Sequence, residues 1–171
     1  DSVIQPGVTT TEDVVWFYRE RIKELKLDTW FHPSVSIQRN EAEAIMAKRP
    51  QPLVILPGDF LHVDFGITYL RLNTDTQQHA YILKAGETEP PKNVRNAFAK
   101  SNRLQDILTG NFKEGRTGNE ILKATREQAL AEGITPSIYT HPIGFHGHAA
   151  GTTIGMWDMQ GGVPFTGEYP M

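Results

Sequence analysis

Two groups of residues in this sequence have the types and spacing to do chemistry. The first is a pair of aspartates: Asp64, inside Phe60-Leu61-His62-Val63-Asp64-Phe65-Gly66-Ile67-Thr68-Tyr69, and Asp75, eleven positions later in Asn73-Thr74-Asp75-Thr76-Gln77. The second is the stretch from Thr140 to Gly151, which places His141, His146 and His148, three of the six histidines, within eight residues. A carboxylate is disfavoured inside a β-type run, and two carboxylates close together repel unless a cation lies between them. Imidazole is the commonest side-chain metal ligand and the usual proton carrier near neutral pH. The chain has no cysteine, which removes disulfides, thiolate ligands and a cysteine nucleophile. Any metal would be held by carboxylates and imidazoles.

Each of these residues also has a plain structural reading. Taken singly, Asp64 and Asp75 read as solvated strand residues, Asp75 in an Asx turn; the histidines read as packed loop residues satisfied by backbone. The aspartate pair and the histidine density carry the functional reading. His32, next to Pro33, is expected to be packed or interfacial, and His79 shares strand parity with Asp75 as either a supporting or an exposed cross-strand residue. His62-Val63-Asp64 has the H-x-D spacing of a mononuclear facial-triad site, with no distal histidine clearly placed to complete it. There is no G-x-S-x-G elbow and no G-x-x-x-x-G-K-[ST] loop, which excludes serine hydrolase and P-loop chemistry.

The elements that must position these groups follow from patterning. Thr9 to Glu12 reads as a capping box opening a helix that continues to about Lys26. Asp28 to Arg39 reads as a strand, and Asn40 to Gln51 as a polar surface segment. From Phe60 to Tyr69 the alternation is clean: Leu61, Val63, Phe65, Ile67 and Tyr69 share one face, and His62, Asp64 and Thr68 share the other. A second β run over Thr74–Leu83 predicts an antiparallel hairpin that sets the two aspartates side by side or diagonally. Tyr69-Leu70 is a poor two-residue turn, so a wider loop is an alternative. Two helices follow, one with Pro91 in its opening turn and ending about Leu108, the other capped by Thr117 and Glu120 and stopping at Gly133. The tail reads as short strands joined by tight loops, and His141 and His148 converge only if the chain bulges or turns at Gly144.

Composition bounds the rest. At 171 residues, 39% hydrophobic and 22% charged, the chain is long enough to bury a core and suggests one domain, or one and a fraction. Its net charge of −3, without a Lys/Arg cluster, lacks the footprint of a nucleic-acid binder. No run approaches the roughly 18 apolar residues of a membrane span. Residue 1 is Asp, so the start of the gene product is expected upstream. No targeting segment is visible, and a cytoplasmic location is the expectation.

Taken together, Pro57-Gly58-Asp59-Phe60-Leu61-His62-Val63-Asp64-Phe65-Gly66, then Asn73 to Gln77, then His141-Pro142-Ile143-Gly144 with His148, resemble the pita-bread metallopeptidases: methionine aminopeptidase, prolidase, aminopeptidase P and creatinase. The likeness runs from the first helix to the tail and is nearest the Xaa-Pro peptidases. It implies an α+β pita-bread fold, an antiparallel sheet covered by helices. It also implies two divalent ions, Mn²⁺, Co²⁺, Zn²⁺ or Fe²⁺, with Asp64 chelating one, Asp75 bridging both and His141 binding the other. His148 would steady the substrate and the tetrahedral intermediate. The implied activity is that of an Xaa-Pro aminopeptidase or dipeptidase acting on peptides, with a homodimer left open.

The pattern departs from the family in three places. Its two glutamates would lie beyond the last residue, Met171; the substrate-positioning histidine expected near Ala47 is missing; and Thr140 replaces the usual glycine before the ligand histidine. The resemblance therefore implies most of one catalytic domain over residues 1–171, incomplete at its C-terminus, without an N-terminal companion domain and with little activity alone. Rival readings are a metal-free creatinase-like C–N hydrolase with His148 as acid/base, a non-catalytic binding module of the same fold, and the mononuclear site noted above.

Overall fold

The structure is a computed structural model that describes residues 3–39, 53–144, 147–148 and 151–171. The polar segment expected at Asn40–Gln51, Ala47 and His146 lie outside the described residues. The chain divides into two compact units, residues 1–90 and 91–171.

The first unit opens with helix α1, Thr11–Glu24. Its capping box lies one residue later than the sequence suggests: Thr10 Oγ1 accepts from Asp13 N, and Asp13 Oδ2 accepts from Thr10 N at 2.7 Å. Thr9 is committed elsewhere. Its carbonyl accepts from Ile55 N at 2.9 Å, its hydroxyl accepts from Gln5 N at 2.8 Å, and it is buried. Among three successive threonines, tertiary pairing therefore decides which one caps.

Strand β1, Asp28–Gln38, runs antiparallel to β2, Phe60–Tyr69, with register shifts between Thr29 and Phe31 and between Phe31 and Ser34. Pro33, which cannot donate to a ladder, sits in the second irregularity. Pro33 is the buried residue there; His32, expected to be packed or interfacial, is exposed. A two-residue turn at Leu70 and Arg71, with φ of 50° and 64°, leads into β3, Leu72–Asn73, and β4, Thr76–Tyr81. The pairing holds one register from Tyr69↔Leu72 to Phe60↔Tyr81. The wider loop is thus not needed. Positive φ at both turn residues matches the right-handed twist of the strands. The ladder it permits offsets roughly 1–2 kcal/mol of strain per non-glycine residue.

The apolar face of this sheet packs on α1, where Val14, Ile55 and Leu61 are buried among Tyr18, Val35, Ile37 and Ile82. Burial fades along β2, from 1% exposure at Leu61 to 59% at Tyr69. The start of β2 is anchored by Asp59, which is 2% exposed and accepts from Arg39 Nε at 2.6 Å, Arg39 Nη2 at 3.1 Å and Leu56 N at 2.7 Å. Arg39 also donates to the Val54 carbonyl.

The second unit pairs α2, Lys92–Gly110, with α3, Gly118–Ala131. Pro91 is the N-cap of α2 rather than part of its first turn, and the helix runs two residues beyond Leu108 because Asn111 Nδ2 caps the Ile107 carbonyl at 2.9 Å. The capping box of Thr117 and Glu120 is present, and Gly133, with φ of 71°, ends the following turn. Ile121, Leu122, Ile138 and Ile154 form one core cluster, and Ile107, Ala129 and Ile134 another. Among the described residues the tail has less strand than its patterning suggests: β5, Ile143–Gly144, pairs with β6, Gly147–His148, and beyond them stand isolated bridges and a 3₁₀ turn at Thr166–Glu168. Among the described residues, no helix is long and apolar enough to cross a membrane.

Candidate metal site

Asp64 pairs across the ladder with Gln77. Asp75 lies two positions nearer the turn, so the carboxylates are diagonal neighbours on one face, the second of the two arrangements the sequence allows. The ladder opens beside Asp75. Ile67 N donates to the Thr74 hydroxyl at 3.1 Å instead of to its carbonyl, while Thr74 N still donates to Ile67 O at 2.9 Å. The released Thr74 carbonyl accepts from Trp30 Nε1 at 2.7 Å. Strand pairing is thereby interrupted between β3 and β4.

Gly66 makes room for this arrangement. A Cβ there would stand 2.3 Å from both Trp30 Nε1 and Phe31 Cε1, whose rings meet edge-on at 4.7 Å. The glycine of Asp-x-Gly is a steric requirement in this chain, because two aromatic rings close over the backbone.

Asp64 Oδ1 is buried and has no hydrogen-bond partner among the described residues. Burial, and then the charge of Asp75, push the Asp64 carboxyl above its usual range, while His62 acts in the opposite direction. An orphaned buried oxygen beside a second carboxylate is the donor chemistry a divalent cation satisfies. These two residues fit such an ion. Among the described residues, no three His, Asp or Glu side chains converge to hold one.

In the second unit, His141 follows a braced segment. Thr140 bridges Ile154, with its N donating to Ile154 O at 3.0 Å. Gln160 clamps the preceding turn: its Oε1 accepts from Ile138 N at 2.9 Å and its Nε2 donates to the carbonyls of Ile138 and Met156, each at 2.6 Å. Arg126 Nη1 donates to that Oε1 at 2.9 Å and to Pro136 O at 3.0 Å. His141 Nδ1 lies 3.2 Å from the Pro142 carbonyl. A carbonyl only accepts, so the neutral tautomer that makes this contact donates from Nδ1 and keeps the lone pair on Nε2, the arrangement a metal ligand needs. The chain reverses after Gly144, pairing Ile143 with His148.

Sequence reading found the aspartates and the histidine run but missed Trp30, Asp59 and Gln160. Trp30 counts only as an apolar strand residue, Gln160 is one polar side chain in a glycine-rich tail, and Asp59 enters only within the segment that carries the family resemblance, with no role of its own. Nothing local marks any of the three.

This chain belongs to metallopeptidase family M24, whose model matches residues 1–167. No curated protein matches it. Among solved structures it is similar to an X-Pro aminopeptidase from Thermotoga maritima MSB8 (TM-score 0.67, 19% identity, covering 96% of this chain and 45% of that one). It is also similar to a prolidase from Thermococcus sibiricus (0.65, 19%, 88% and 40%) and to a methionine aminopeptidase from Thermotoga maritima (0.62, 22%, 98% and 66%). The fold is the pita-bread fold those enzymes share. The chain spans less than half the length of the first two.

Proposed function

We propose that this chain carries part of the catalytic machinery of a metal-dependent exopeptidase, of the Xaa-Pro aminopeptidase or dipeptidase type, with a peptide as substrate. The observation that supports this reading most directly is the diagonal pair Asp64 and Asp75, with a buried Asp64 oxygen left unsatisfied among the described residues. In this reading Asp64 and Asp75 would be carboxylate ligands of divalent ions, and His141 would be an imidazole ligand. A divalent ion in such a site supplies Lewis acidity toward the scissile carbonyl and lowers the pKa of water. The chain's own contributions are to fix carboxylate geometry through the Trp30–Thr74 bond and imidazole tautomer through Pro142. His148 is the candidate for orienting the substrate.

The test is reconstitution of the protein containing this chain with Mn²⁺ or Co²⁺, scored on Xaa-Pro peptides. The expected result is metal-dependent cleavage that Asp75→Asn abolishes. Absence of both metal uptake and cleavage, or an Asp75→Asn variant as active as the parent, would overturn the reading. Little activity is expected from the 171 residues alone, because the carboxylate pair by itself is a sparse ligand set.

A further inference from the structure

One feature of the sheet face is not used by the carboxylate site. His62 and His79 are direct partners across the β2/β4 ladder. Thr74 N donates to Ile67 O and Ile82 N donates to Asp59 O, each at 2.9 Å, so with unbroken register the odd-numbered β2 residues make the hydrogen-bonded pairs. His62↔His79 therefore falls in a non-hydrogen-bonded position, where Cα atoms are nearer, about 4.5 Å apart, and side chains approach most closely. Their ring centres are 4.9 Å apart with planes tilted by 42°. Two imidazoles on one ion, with metal–nitrogen bonds of about 2.0–2.1 Å and angles near tetrahedral or square, put their ring centres roughly 4.5–5.2 Å apart. The two rings stand at that separation.

Two neighbours organise it. His62 Nε2 lies 3.1 Å from Gln77 Oε1; in the neutral tautomer that donates from Nε2 to this oxygen, Nδ1 keeps its lone pair. A ligating imidazole is commonly held by just such an acceptor on its other nitrogen. Phe60 stacks on the His79 ring with centres 5.2 Å apart. His62 is half-buried and His79 exposed, so the pair is accessible from the face that carries Asp64.

We propose that His62 and His79 form a separate binding site for a borderline transition-metal ion, Zn²⁺, Ni²⁺ or Cu²⁺, beside the carboxylate pair. Two imidazoles and no obligatory carboxylate favour those ions over Mg²⁺ and Mn²⁺, in line with ligand softness and the Irving–Williams order. Two residues of strand, roughly 6.6 Å, separate His62 from Asp64 along β2, so the site adjoins the hydrolytic carboxylates without sharing their position. The proposal does not rest on peptidase activity.

The test is calorimetric titration of the metal-free 171-residue chain with Ni²⁺ and, separately, Mn²⁺. Ni²⁺ affinity is expected to fall about tenfold or more in His79→Gln and His62→Gln and to stay within about twofold of the parent in His32→Gln, an exposed histidine outside the pair. Mn²⁺ binding is expected to ignore His79→Gln. Unchanged Ni²⁺ affinity in both His62→Gln and His79→Gln, or an equal loss in His32→Gln, would overturn the proposal. A measurement on the unsubstituted chain needs no variant to fold: ring protons of His62 and His79 should broaden together as Cu²⁺ is added, and separate broadening, or none, counts against the site. Failure of the peptidase reading would show as a silent Asp75→Asn in cleavage assays, which leaves these outcomes untouched.

Discussion

The indole N–H of Trp30 donates to the carbonyl of Thr74 at 2.7 Å, across 44 residues of sequence. The carbonyl of the residue just before Asp75 is thereby held by an aromatic side chain from β1, while that residue's N–H and hydroxyl stay bonded to Ile67. Trp30→Phe keeps a ring but strands that carbonyl, and is expected to cost about 1–3 kcal/mol. Its signature is faster hydrogen exchange at the Asp75 amide together with weaker Mn²⁺ binding; loss of stability with neither of these would mean that Trp30 only packs.

Asp64 makes stability depend on pH in the unusual direction. Its folded pKa lies above the ordinary 3.8, so the folded chain holds the proton more tightly than the unfolded one. That contribution is complete below 3.8 and is lost as pH rises through the folded value. In metal-free buffer Asp64→Asn should melt higher than the parent at about pH 7 and lose that advantage in acid. Thermal unfolding with and without Mn²⁺ checks the sign, since added metal should reverse the order.

The Arg39–Asp59 pair is a buried ion pair, with side chains 13% and 2% exposed. Removing Asp59 takes the carboxylate away from a guanidinium that is itself largely buried. Asp59→Ala should therefore cost about 3–5 kcal/mol in urea unfolding. Arg39→Ala together with Asp59→Ala should cost less than the two single losses added; full additivity would show that the two side chains act independently.

Gln160 satisfies both the N–H and the carbonyl of Ile138 and also bonds the Met156 carbonyl and Arg126. Gln160→Ala leaves several of those groups unpaired, and a loss of about 1–3 kcal/mol is expected for a single such buried group. Exchange at the Thr140 amide, next to His141, should quicken as well. Protection that stays at the parent level would remove Gln160 from the support of the histidine segment.

What was legible in the sequence was local or periodic. The two-residue alternation of β2 placed Asp64 opposite the apolar stripe, and the Thr117–Glu120 cap lies within four residues of chain. What was not legible depends on distant partners. Thr10 caps α1 because Thr9 is taken by Ile55, and Leu70 and Arg71 accept positive φ because the strands beyond them pair. The facing of His79 with His62 is a property of register, which H-x-D spacing in one strand cannot reveal. Histidine density likewise marked 141–148 without showing that Gln160, on a later loop, braces its approach.

The two-residue turn at Leu70 and Arg71 also works as a gauge. Side chains alternate faces with a period of two, so lengthening or shortening that turn by one residue slides β4 by one step. Asp75, Gln77 and His79 would then exchange the open face for the α1 side, with every one of those residues still present in the sequence. The interval of eleven between the aspartates is thus the length of a path around a tight corner. Insertions and deletions at the corner, more than substitutions along the strands, are the changes that would silence both the carboxylate pair and the histidine pair at a stroke.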